Sequence, residues 1–173
     1  SEIERVADML LAAKNPAIVA ESVGRDPAGY DATVELAELL AIPVSECRWL
    51  DFTNFPKEHL LYQGMGELDY LQDTDVVLTL RARAPWTPAS AKPAKATIVN
   101  IDEAPFRPHM VHQSLQADVF LEGDAVATLR ALIAAIRERG VDSAVVAERQ
   151  ARWSKGHDAL VAGKKADIDA ALA

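Results

Sequence analysis

Apolar residues recur along the chain in two alternating rhythms. Ile3, Val6, Leu10 and Ala13 share one helical face, and Lys14-Asn15-Pro16 stops that helix. A short apolar run, Ala17 to Ala20, then predicts a first strand. Asp26-Pro27-Ala28-Gly29 is a turn with Pro27 placed to open a helix, which continues through Val34, Leu36, Ala37 and Leu40. Ile42-Pro43-Val44 starts a second, short strand. From Trp49 to Gly66 the pattern is irregular, and Leu68 to Leu71 reads as a short helix. Asp75 to Leu80 reads as a strand whose apolar content is near-continuous, as expected of a parallel strand buried on both faces. Strands follow at Ala96 to Ile101 and Ala117 to Leu121. Gly123-Asp124 caps a helix with Val126, Leu129, Ile133 and Ile136 inward, and Gly140 ends it.

Strands alternating with helices predict an α/β fold: a Rossmann-like, doubly wound parallel sheet of about six strands with helices on both faces. After Asp142 the rhythm changes. Val146, Trp153 and Leu160 recur every seven positions as a narrow stripe, with Glu148 and Arg152 at i,i+4 spacing. This segment predicts a C-terminal linker helix, lying across the domain or reaching toward a neighbour. The division expected is a central domain over residues 1–140 and a helical linker over 141–173.

The chain has 173 residues and a formal net charge of −8. That balance argues against a nucleic-acid partner, which needs clustered Lys and Arg, and against an anionic membrane surface. No apolar stretch approaches the ~20 residues of a membrane span. Cys47 is the only cysteine, so no intrachain disulfide can form. A buried inert thiol and a cytoplasmic location are the expectation. The chain opens on a helix without an initiator Met and closes on KKADIDAALA, which reads as a segment of a longer protein.

In an open parallel sheet, ligands bind beyond the carboxyl ends of the strands. Those ends read as Glu21 to Arg25, Arg81 to Arg83, Asn100 to Glu103, and the region of Asp118. Arg25, Arg81 and Arg83 could pair with phosphates and Asp102 with ribose hydroxyls. Equally, Asp102 could cap a loop and the arginines could be solvated. GxGxxG and the Walker pattern are absent. Glu21 stands where a phosphate turn would place a glycine, and a carboxylate repels a phosphate. His109 and His112, with Glu103 nearby, are weak metal candidates without a third ligand at family-like spacing. No hydrolase triad is evident.

The segments NPAIVAESVGRDPAGYDATVELAELLAIPV, NFPKEHLLYQGMGE, TDVVLTLRARAPW, KATIVNIDEAP and ADVFLEGDAVATLRAL, in that order, resemble the central domain of thiamine-diphosphate-dependent enzymes of the acetolactate synthase, benzoylformate decarboxylase and oxalyl-CoA decarboxylase group. The resemblance runs from about Ile3 to Arg139. It implies a six-stranded parallel sheet between a pyrimidine-binding and a diphosphate-binding domain of the same polypeptide, in an enzyme that decarboxylates or joins 2-oxo acids. The catalytic glutamate and the ligands of thiamine diphosphate and magnesium would lie in those other domains, so no catalytic or metal residue is assigned here. Some relatives bind FAD or ADP in this domain. Matched to them, the candidate nucleotide residues are Ser22, Gly24, Arg25, Gly64, Met65, Gly66, Arg81, Arg83, Asp102, Glu103 and Asp118. Binders carry glycines where Glu21, Ser22 and Arg81 stand, so the resemblance implies a spacer and subunit-contact domain whose nucleotide has been lost.

Two further readings remain open. One is a stand-alone module for FAD, ADP or NAD; a sirtuin-type deacetylase shares the broad topology, but its GAGxS-like loop is absent. The other is an interaction domain whose Val146, Trp153, Leu160 stripe pairs with a partner helix, giving a homo-oligomer.

Overall fold

A computed structural model describes residues 1–49, 51–66, 68–107 and 117–172. Helix α1 (Glu2–Ala12) begins in a capping box, with the Ser1 hydroxyl accepting from the Glu4 N–H and the Glu4 carboxylate reaching back to Ser1. Strand β1 (Pro16–Ala20) follows. Helix α2 (Pro27–Leu40) has Pro27 in its first turn, and the Asp26 carboxylate accepts from the Ala28 N–H. Strands β2 (Val44–Glu46), β3 (Tyr62–Met65), β4 (Val76–Leu80), β5 (Thr97–Asp102) and β6 (Val119–Glu122) complete the sheet. Helix α3 (Ala125–Arg139) starts on Asp124 and stops at Gly140, whose φ of 83° lies in the left-handed region. Helix α4 (Ser143–Leu172) runs for 30 residues.

The sheet is wholly parallel, with order β3-β2-β1-β4-β5-β6. This is the expected α/β architecture, with the chain winding outward from the adjacent strands β1 and β4. The stretch expected to be irregular contains β3. Its four residues include Gly64, and Gly66 follows directly, so no β-branched or alternating pattern marks it. Leu68 to Leu71 lies in a 3-10 turn at Asp69–Asp73.

Alternate strand residues feed two cores. Ile18, Leu78 and Ile101 pack with Leu10 of α1, Leu36 of α2 and Leu129 of α3. Ala17, Val77 and Ile98 point the other way, beneath Leu71, Trp86 and Ala91. The helical cover is thus unequal. Helices α1, α2 and α3 lie on one face, with α4 packed against the same cluster, and 3-10 turns at Asp69–Asp73 and Ala89–Ala91 lie on the other. No described helix is long and apolar enough to cross a membrane.

Candidate functional site

The order of strands reverses between β1 and β4, so the crevice beyond their carboxyl ends is where this architecture places a ligand. Glu21 follows β1 directly and is 3% exposed. Its carboxylate accepts from the Arg83 N–H at 2.6 Å and the Ala84 N–H at 3.5 Å, and it pairs with the Arg83 guanidinium. Successive backbone N–H groups converging on one oxygen form an anion cradle. Here the anion is the protein's own side chain. Cys47 is buried against the same group, and burial together with the Glu21 carboxylate pushes its thiol well above its ordinary value.

Beside this pair lies a cleft of about 470 Å³ lined by Ser22, Arg25, Arg81, Asp102, Glu103, Ala104, Arg107 and Asp124. Five of the candidate residues therefore do come together. Arg81 is 5% exposed and sits at φ 46°, where a glycine would be unstrained. Its guanidinium grips Glu103, with Nε to Oε2 at 2.9 Å and a second contact alongside. Burial pushes Glu103 upward, but Arg81 and the backbone N–H donors of Glu103 and Ala125 together outweigh it and hold the carboxyl below its ordinary range. Glu103 also accepts from the Ala125 N–H at the start of α3. Asp102 accepts from the Ala104 N–H at 2.9 Å and from Arg107 at 2.7 Å, so it caps a loop. The Arg25 side chain has no partner among the described residues, and the buried Arg81 Nη1 has no acceptor.

Arg25, Arg81 and Arg107 thus face Asp102, Glu103 and Asp124, three guanidinium groups against three carboxylates. A diphosphate needs net positive surroundings and open N–H groups. The cradle is filled by Glu21, and the Gly24 N–H donates to Asn54 Oδ1 at 2.9 Å. The residues present therefore do not fit a diphosphate. Gly24 is a glycine because any Cβ there would overlap the Thr53 carbonyl. Gly66 lines a separate cleft of about 210 Å³ with Leu68, Trp86 and Ala91. Gly64 and Met65 lie just before it, on edge strand β3, away from the arginine cleft.

Asp118 corrects the expectation. It precedes β6, at the amino end of the sheet, where its carboxylate accepts from the Ile98 N–H at 2.8 Å. His109 and His112 lie outside the described residues, and no metal-binding group of three side chains exists among those described.

Residues 3–132 match the family model described as thiamine pyrophosphate enzyme, central domain. The chain belongs to that family. Two solved structures share its fold. A protein from Mycobacterium smegmatis, described as thiamin diphosphate-dependent, is 29% identical with a TM-score of 0.61. Benzoylformate decarboxylase from Polynucleobacter necessarius is 22% identical with a TM-score of 0.60. Each match covers 78% of this chain and 27% of the other, so the chain spans about a quarter of those proteins. No curated protein matches it.

In this central domain α4 follows the first of its two expected courses and lies across the domain. Val146, Trp153 and Leu160 pack against the domain's own core. Arg149, on the same face, is buried; it donates to the Leu40 carbonyl at 3.0 Å and the Ala13 carbonyl at 2.5 Å, capping the ends of α2 and α1 together. Arg152 reaches Asn15 Oδ1 at 3.0 Å. His157 bonds the Tyr62 carbonyl at 2.9 Å, and Gln63 donates to the Trp153 carbonyl, so α4 covers the edge strand β3. From Val161 onward the helix is exposed.

Sequence reasoning missed Asn54, Glu46, Arg107 and Arg149, and read Asp124 as a helix cap without its place in the cleft. Asn54 and Glu46 are fully buried. Asn54 holds the first loop through Gly24 and Glu21, and its own N–H donates to Glu46 Oε1 at 2.8 Å. Glu46 also pairs with Lys57. The one available signal was Arg149, a lone cation on the apolar face of α4.

Proposed function

We propose that this central domain serves a longer enzyme that uses thiamine diphosphate and magnesium to decarboxylate or join 2-oxo acids or related acyl donors. The family match over residues 3–132 carries the reading. Residues 1–140 act as a spacer between the catalytic domains and as a surface for subunit contacts in a cytoplasmic homo-oligomer. Residues 141–173 lead toward the C-terminal domain. The domain alone is catalytically inert, since the groups that hold thiamine diphosphate in this family are assigned to its other domains. Isothermal titration of the chain with thiamine diphosphate and magnesium, followed by a turnover assay on benzoylformate and pyruvate, tests this. No heat and no product is the expected result; turnover by the chain alone overturns it.

The nucleotide site at Ser22, Gly24, Arg25, Gly64, Met65, Gly66, Arg81, Arg83, Asp102, Glu103 and Asp118 is read as vestigial. Self-paired charge around Glu21, Arg81 and Asp102 supports this. Two features favour a retained ligand: the unpartnered Arg81 Nη1 and, in the same cleft, the Arg25 side chain without a partner among the described residues. Thermal shifts with ADP, FAD and NAD separate loss from retention. A ligand at 100 times its dissociation constant adds about 2.7 kcal/mol, a rise of roughly 5–10 °C. A flat response supports loss; a rise of that size restores a nucleotide-binding module.

A further inference from the structure

A second cleft lies at the opposite, amino end of the sheet, between α4 and the chain entering β1 and β4. It measures about 420 Å³ and is lined by Asn15, Tyr70, Asp73, Thr74, Arg152 and Trp153. That volume falls within the ~300–1,000 Å³ range of small-molecule sites. Its aromatic wall is Tyr70 against Trp153, edge to face with centroids 5.1 Å apart.

The charges in this cleft are unlike those at the carboxyl end, where each acid has a partner. Arg152 lies over the Trp153 ring at 4.9 Å and donates once, to Asn15 Oδ1. Its guanidinium carries five N–H donors, so most of its capacity is unspent. The Asp73 carboxylate has no hydrogen bond or ion pair among the described residues. The two opposite charges line one cleft without meeting. Asn15 links the two segments, accepting from Arg152 and donating through Nδ2 to the Asp73 backbone carbonyl at 3.3 Å.

The frame is fixed before any ligand arrives. Asp75 binds the Asn15 N–H at 3.0 Å, Ser45 binds the Tyr70 hydroxyl at 2.8 Å, and Gln63 binds the Trp153 carbonyl at 3.0 Å. Preorganised walls of this kind lower the entropy cost of binding.

We propose that this cleft binds a small zwitterion of the α-amino-acid class with an apolar side chain. Its carboxylate meets Arg152, its ammonium meets Asp73, and its side chain lies against Tyr70 and Trp153. A lone anion would leave Asp73 repelling it, and a lone cation would face Arg152, so the cleft selects for both charges in one molecule.

The test titrates the full chain with L-phenylalanine, 3-phenylpropionate and 2-phenylethylamine, read by thermal shift and by tryptophan fluorescence. L-Phenylalanine is expected to bind, and each singly charged analogue about tenfold more weakly or worse. Arg152→Gln and Asp73→Asn each weaken L-phenylalanine by a similar factor while melting as the parent does, since both side chains are exposed. Three results overturn the proposal: no binding by any compound up to about 10 mM, an analogue matching L-phenylalanine, or undiminished binding by both variants.

Discussion

Glu21→Gln tests the central claim about the sheet's carboxyl end, because it keeps the shape of the side chain and removes only its charge. The carboxylate receives the Arg83 N–H at 2.6 Å and the Arg83 guanidinium, in a site 3% exposed. Hydrogen bonds to a charged group contribute about 1.5–3 kcal/mol and neutral ones about 0.5–1.5. The Arg83 side chain is 38% exposed, so its ionic share is screened and counts for little. The bond from the half-buried Arg83 N–H to the buried carboxylate dominates, and the expected loss is about 2 kcal/mol. For a chain of this size that is a fall in Tm of roughly 4–8 °C. Urea denaturation followed by circular dichroism would measure it. A variant as stable as the parent would show that Glu21 does not fill an anion cradle. Glu21→Gly supplies the complementary arm. With the two N–H groups bare, inorganic pyrophosphate should stabilise it more than it stabilises the parent.

Arg149→Met leaves the Leu40 and Ala13 carbonyls without donors and should cost about 2–4 kcal/mol. Hydrogen exchange should show the first turns of α4 opening first; unchanged protection there counts against the shared cap. Gly24→Ala drives a Cβ into the Thr53 carbonyl and should lose about 1–3 kcal/mol or more. Gly163→Ala, with open space around it, should gain about 0.5–1 kcal/mol; similar melting temperatures for the two would refute the packing argument. Burial and the Glu21 carboxylate raise the Cys47 thiol above its ordinary value of 9.0. The unfolded chain therefore releases that proton first. The thiol's contribution is complete below that value and is lost as pH rises above it. Cys47→Ala should flatten the fall of Tm between about pH 8.5 and 10.5; parallel profiles would show that the thiol does not contribute.

Local pattern determined much of this protein. The runs that became β1, β4, β5 and β6, and the caps at Asp26, Asp124 and Gly140, are legible because burial and capping leave short-range signatures. Strand β3 left none, since Gly64 and Gly66 carry no β-pattern and its place comes from pairing with β2. The pairing of charges belonged to tertiary structure alone. Glu21 meets Arg83 across 62 residues of sequence, and Arg149 meets Ala13 across 136. Which acid faces which base depends on strand order, and strand order is absent from any local window. Asp118 read as a site residue and stands at the wrong end of the sheet, because it precedes β6 and the start of a parallel strand lies at the sheet's amino end. The stripe on α4 read two ways, as lying across the domain or as a surface for a partner, and the fold turned it inward, because edge strand β3 and the ends of α1 and α2 needed covering.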